Sequence, residues 1–208
     1  MGTDACTALQ FLNDLGALSV LLPEVAALVG FHKDFPVHHK DLWKHTLEVL
    51  TRTPPEADLR WVALLHDIGK VATRRLSSTS QVTFTRHEQL GAYLFGGIAA
   101  RFGFPQDRAE RISFILSYHG RVNAYETDWT DRAIRRLVRD LGPHLDDILA
   151  FAGADYTTKR RRKQAHIRER LQQLVVRIQQ QRLDGVTTSK VPAGLGQAII
   201  GDLNVERG

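Results

Sequence analysis

Six residues carry side chains that bind hard or borderline metal ions: His45, His66, Asp67, His87, His119 and Asp155. The adjacent pair closes an apolar run, Trp61-Val62-Ala63-Leu64-Leu65, and is followed by Ile68-Gly69-Lys70. An apolar run of this kind reads as a buried helix. A buried histidine or aspartate is costly unless it is hydrogen-bonded, ion-paired or bound to metal. Taken alone, the pair reads equally well as a hydrogen-bonded core pair and as part of a metal site. Gly69 permits a helix end or a close backbone approach, which would leave Lys70 near the mouth of whatever His66 and Asp67 line. One histidine on an apolar face is usually a satisfied core residue. Six such residues on five separate predicted helices are hard to explain that way, because facing helices build metal sites in this manner. Imidazole with carboxylate suits one or two divalent ions among Mn, Fe, Co, Ni and Zn, with Mg possible.

The elements that must position these residues are helical almost throughout. Thr7 to Gly30 carries apolar residues in two short helices broken near Gly16 and Pro23. Residues 31–40 form a polar connection, and Asp41 caps a helix running to about Thr51 that holds His45. Thr53-Pro54-Pro55-Glu56 breaks the chain before a central helix ending near Gly69. Val82 and Phe84 mark a short strand or hairpin within Leu76 to Thr85. A helix from His87 places Leu90, Leu94, Ile98 and Phe102 at four-residue spacing. The next helix, restarted at Pro105, puts Ile112, Ile115 and Leu116 on one face with His119 a turn further. Ala133, Ile134, Leu137, Val138 and Leu141 mark another helix, and Leu145 to Ala152 one more. A last long helix is expected over about Asp155 to Arg182, with Ile167, Leu171, Leu174 and Ile178 inward. The period predicts an all-α domain, a helical bundle with a metal site between helices. Three segments follow: a helical lead-in at 1–30, the main domain at 31–182 and a partly irregular tail at 183–208.

At 208 residues, with 43% apolar and 25% charged, the chain can bury a sizeable core. The formal charge of +5 favours anionic partners. Cys6 is the only cysteine, which excludes an intrachain disulfide and points to nitrogen and oxygen metal ligands. The beginning of the sequence lacks the basic-then-apolar order of a signal peptide, and no apolar run reaches membrane-spanning length. The expectation is a soluble, cytoplasmic protein with no membrane contact.

The order His45, His66-Asp67, Asp155 resembles the signature of HD-domain metal-dependent phosphohydrolases. Longer stretches narrow the likeness: His38-His39-Lys40-Asp41-Leu42-Trp43-Lys44-His45-Thr46, Leu64-Leu65-His66-Asp67-Ile68-Gly69-Lys70, Phe84-Thr85-Arg86-His87-Glu88-Gln89-Leu90-Gly91-Ala92, and Ala154-Asp155-Tyr156-Thr157-Thr158 before a basic helix. Together they are similar to the HD region of bacterial CCA-adding tRNA nucleotidyltransferases, over about residues 8–182. Leu21-Leu22-Pro23-Glu24 looks like the segment preceding that region. The Gly-Ser loop and paired aspartates of a nucleotidyltransferase head do not occur, so the expectation is an HD domain that cannot by itself add nucleotides. The resemblance implies that His45, His66, Asp67 and Asp155 hold a first metal. Asp67 would bridge to a second metal taken by His87 and His119. Some binuclear members carry a further histidine where Gly120 stands, so the second metal is expected to be weaker.

In such a site water bound to metal attacks phosphorus near neutral pH. Asp67 and Lys70 are the expected catalytic residues, the first as proton acceptor and the second on a phosphoryl oxygen. Lys70, Arg86, Arg121 and Lys159 follow or precede proposed ligands closely and are the expected substrate-binding cations. The expected substrate is a nucleotide, cyclic nucleotide or other phosphate ester. Lys159-Arg160-Arg161-Arg162-Lys163 is either a solvated face, in part paired with Asp146 or Asp147, or an RNA contact. Two other functions stay open: an RNA-binding or interaction module with a structural metal, and a di-iron oxygenase. Trp43 and Trp61 are expected in the core, and Cys6 is expected to be inert.

Overall fold

The computed structural model describes residues 5–31, 41–76, 81–156 and 160–188. His38, His39, Lys40, Lys159 and the tail beyond 188 lie outside the described residues. Three short helices, α1 (Ala5–Asp14), α2 (Ala17–Leu21) and α3 (Pro23–Ala26), form the lead-in, one more than the periodicity suggests. The breaks fall at Gly16 and at Pro23, where they are expected. Helices α4 (Leu42–Arg52) and α5 (Ala57–Leu65) form an antiparallel pair across the Pro54-Pro55 turn. Asp41 caps α4, accepting from the Lys44 amide at 3.1 Å, and Glu56 caps α5, accepting from the Leu59 amide at 2.8 Å.

A single turn, α6 (Lys70–Thr73), precedes a two-stranded antiparallel ribbon, β1 (Arg75–Leu76) and β2 (Val82–Thr83). Then α7 (His87–Phe102) and α8 (Gln106–Tyr118) pack as the most extensive helix pair. Gly103, in the left-handed region at φ 65°, closes α7. Helices α9 (Asp131–Leu141), α10 (Leu145–Asp155) and α11 (Arg161–Thr188) complete the bundle, and the all-α fold is as expected. Leu65, Ile68, Phe95, Ile98, Ile115, Leu137 and Phe151 lie in its core with 2% exposure or less. Each contributes roughly 1.5–3 kcal/mol by leaving water. Trp43 and Trp61 pack against this core, half-buried.

Two boundaries and one helix face add to or differ from the sequence expectations. The central helix stops at Leu65, and residues 66–69 form tight turns through bonds such as Lys70 N–H to Asp67 O at 2.9 Å. A Cβ on Gly69 would lie 2.1 Å from the His87 carbonyl oxygen and 2.8 Å from the Gly91 nitrogen, so only glycine lets the turn rest on the backbone of α7. The second difference is the inward face of α7, where Phe95, Gly91 and Ala92 are buried beside Ile98, while Phe102 is 43% exposed. A stripe at four-residue spacing winds about 40° around the helix with each step, so it leaves the core within three turns. Third, Asp155 ends α10 rather than starting the last helix, and α11 begins at Arg161 and runs to Thr188.

Gly69→Ala is expected to cost roughly 1–3 kcal/mol, because the obstructing atoms are backbone and cannot rotate away. Urea unfolding measures this, and a wild-type midpoint would show that α7 yields freely to the added methyl.

Candidate metal centre

The six predicted ligands come together, and five of them stand at helix ends. His66 and His119 follow the last residues of α5 and α8, Asp155 closes α10, His87 opens α7, and Asp67 lies in the turn after α5. His45 comes from the first turns of α4. Asp67 is fully buried, and His45, His66 and His119 are 5% exposed or less. Two groups emerge, His45 with His66 and Asp67, and Asp67 with His87 and His119. In each, the ligand atoms lie within 4.8 Å of one another, and Asp67 belongs to both. Asp155 joins the first group, with its Oδ1 at 3.1 Å from His45 Nε2 and 3.6 Å from His66 Nε2.

Three of the histidines are oriented by the same local bond. His66 Nδ1 is 2.9 Å from the Ala63 carbonyl, His87 Nδ1 is 3.0 Å from that of Phe84, and His119 Nδ1 is 2.8 Å from that of Leu116. A carbonyl only accepts, so each Nδ1 carries the proton and donates it. Burial also pushes the three imidazoles below their ordinary pKa, with Lys70 adding to the effect at His87 and His66 adding to it at His119. A neutral ring donating through Nδ1 leaves a lone pair on Nε2, and these lone pairs face inward.

The centre is therefore crowded with acceptors. His66 Nε2 is 3.2 Å from His45 Nε2 and 3.4 Å from Asp67 Oδ1; His45 Nε2 is 3.6 Å from Asp67 Oδ2, and His87 Nε2 is 3.9 Å from Oδ1. Burial alone would raise the Asp67 carboxyl, but His66, Lys70 and His45 reverse this and hold it below the usual range. Asp155 behaves alike, with burial opposed by its bond to His45 and by His66. In both carboxylates the surroundings favour the ionised form. Lys70 Nζ stands 2.7 Å from Asp67 Oδ1, yet neither oxygen of this buried carboxylate has a hydrogen bond of good geometry. Ligands about 2.0–2.2 Å from one ion lie roughly 3.0–3.5 Å from each other, close to these separations. The donor set thus fits a divalent cation by type and by spacing.

The cation neighbours are spread more widely. Lys70 reaches the cluster although α5 stops short of it, and the Phe84 ring lies 5.6 Å from its ammonium. Arg86 is exposed, in the left-handed region at φ 63° directly before His87. Arg121 is exposed and paired with Asp140 at 3.2 Å. Asp146 and Asp147 bind Arg182 and Arg111, not the basic run at 160–163. Two contacts were not anticipated. Glu88 Oε2 approaches His87 Nδ1 at 3.3 Å, and the Phe151 ring stands against both His66 and His119, 5.4 and 5.7 Å between centroids. Glu88 is adjacent to a ligand and so had a sequence signal, whereas Phe151 reads as an ordinary core aromatic.

The HD domain family matches residues 42–172, and the chain belongs to that family. The CC-adding tRNA nucleotidyltransferase of Thermus thermophilus is 36% identical over 157 residues, covering 73% of this chain and 35% of the relative. The A-adding tRNA nucleotidyltransferase of Deinococcus radiodurans is 33% identical over 159 residues, with the same shares. The multifunctional CCA protein of Pseudomonas paraeruginosa is 37% identical over 114 residues, 53% of this chain and 27% of the relative. The chain spans about a third of the length of these first two relatives. No helix among the described residues is long and apolar enough to cross a membrane.

Metal removal is expected to loosen the bundle as well as the site, because an ion bound only by the folded state stabilises it by mass action. Chelation should lower the Tm by several degrees, and His66→Ala should abolish tight binding. Scanning calorimetry with elemental analysis tests both. An unchanged melting curve, with stoichiometric metal still in the mutant, would overturn the assignment.

Proposed function

We propose that this domain is a metal-dependent phosphohydrolase acting on nucleotides, cyclic nucleotides or related phosphate esters. The observation that carries the reading is the sharing of fully buried Asp67 between two ligand groups. His45, His66, Asp67 and Asp155 would hold one divalent ion, and Asp67, His87 and His119 a second. Such ions supply Lewis-acid polarisation of a phosphoryl oxygen and a lowered pKa for bound water. The side chains do the rest. The three locked imidazoles present neutral nitrogen without rearrangement, which keeps the site preorganised. Asp67, fully buried and common to both ligand groups, would be held by both ions and is the carboxylate placed to take a proton from water at the site. Lys70, 20% exposed, stands between the buried carboxylate and solvent and offers its ammonium to a phosphoryl oxygen. Arg86 and Arg121, and Lys159 outside the described residues, are the further cations that would meet the anionic substrate.

A second reading has its own support. Arg161, Arg162 and Lys163 are exposed on the first turn of α11, and the relatives are named as tRNA nucleotidyltransferases. An RNA-contacting module holding its metal for structure would show steeply salt-dependent RNA affinity and no turnover. The metals named above remain candidates, and elemental analysis decides among them.

Lys70→Ala should leave metal content intact and lower kcat/KM on phosphate esters roughly tenfold to a thousandfold, with Lys70→Arg recovering part of the loss. His87→Ala and His119→Ala should reduce activity more than stability by weakening the second ion. A phosphatase and phosphodiesterase panel on the metal-reconstituted protein provides the measurement. Absence of turnover with every metal would hand the site to the second reading.

A further inference from the structure

The helices that carry His66, His119 and Asp155 are tied together at their opposite ends. Arg111 on α8 grips Asp147 on α10 with two bonds, Nε to Oδ2 and Nη2 to Oδ1, both at 3.0 Å. Its remaining nitrogen, Nη1, reaches Asp58 Oδ2 at 2.9 Å and Glu56 Oε1 at 3.2 Å, at the start of α5. Arg108 adds a bond from Nε to Asp58 Oδ1 at 2.9 Å, and Asp58 is buried. In all three helices the ligand lies eight residues beyond the clamping residue: Asp58 and His66, Arg111 and His119, Asp147 and Asp155. Eight residues of helix rise about 12 Å. The clamp and the ligands are thus matching cross-sections of three parallel helices.

We propose that Arg111 is a positioning residue for this centre, setting the axial register of α5, α8 and α10 and so the mutual placement of His66, His119 and Asp155. The inference rests on the metal reading of those residues. A guanidinium fork fixes two carboxylates in one plane, which an ammonium cannot do. Arg111 and Asp147 are 29% and 24% exposed, and ion pairs so accessible to water add little to stability. Their effect falls on geometry instead. Metal–ligand distances tolerate only about 0.2 Å, so a helix sliding by less than 1 Å would spoil the set.

The test compares Arg111→Met and Arg111→Lys with Leu137→Ala, a core change on α9 that lowers the Tm without touching the clamp. Cobalt(II) is the probe. Arg111→Met should bind it tenfold to a hundredfold more weakly than wild type and shift its visible absorption bands, Arg111→Lys should recover part of the affinity, and Leu137→Ala should keep the wild-type spectrum. Amide exchange on the metal-free proteins gives a readout without metal. Arg111→Met, unlike Leu137→Ala, should speed exchange around residues 64–66, 116–119 and 153–155. Should Arg111→Met not fold, Asp147→Asn should show the same changes, smaller in size. Wild-type affinity, spectrum and exchange in the clamp variants would overturn the proposal, as would equal weakening in Leu137→Ala. Exchange effects as expected, in a wild type that takes up no cobalt, would uphold the register role and remove the metal reading alone.

Discussion

The rest of the structure is arranged around one fully buried carboxylate. Asp67 has no exposed surface and no well-formed hydrogen bond, yet its surroundings keep it ionised. An isolated charge in that position would be strongly destabilising, so the fold must supply positive charge beside it. Lys70 supplies one unit. His66, His87 and His45 bring ring nitrogens beside it, and burial opposes protonation of the first two. A group that accepts lone pairs from nitrogen and oxygen together, as a divalent cation does, would complete the balance at this site.

Helix ends make that solution available. Three C-terminal ends, those of α5, α8 and α10, meet at the cluster, and a helix C-terminus carries partial negative charge. The far ends of the same helices are lined with carboxylates, Glu56 and Asp58 at α5 and Asp147 at α10, which suit the positive N-terminal ends. The bundle is thus polarised along its length, with arginine and carboxylates at one end and space for a cation at the other. A histidine just past a helix end also finds a free carbonyl three residues back, which is how His66 and His119 are held.

Much of this was legible in residue type and order. The six ligand-type residues converge as the motifs imply, the helical period gives the fold class, and Asp41 caps α4 as its position suggests. What escaped was set by contacts far apart in the chain. Gly69 was readable as a close backbone approach, which it makes to α7, but hydrophobic period carries no information that the helix ends four residues earlier, at Leu65. The pairing of Asp147 spans 36 residues to Arg111, so the nearby basic run was the natural but mistaken partner. The sequence places Asp155 at the start of the last long helix. It ends α10 instead, and there its side chain meets His45.

Lys70 bears on which kind of protein this is. A cation sharing Asp67 Oδ1 with a divalent ion repels that ion, and at an effective dielectric near 20 two unit charges about 4 Å apart interact by roughly 4 kcal/mol. For an ion kept only to hold helices together, the lysine is a cost, and a neutral side chain would serve the bundle better. For an ion that works on phosphate esters, the same charge is useful, because the arriving anion brings negative charge to share between ion and ammonium. The lysine would weaken the resting site, and it would aid turnover to the extent that it meets charge more strongly in the transition state than in the bound substrate. On this ground the position of Lys70 favours the hydrolytic reading over the structural-metal one.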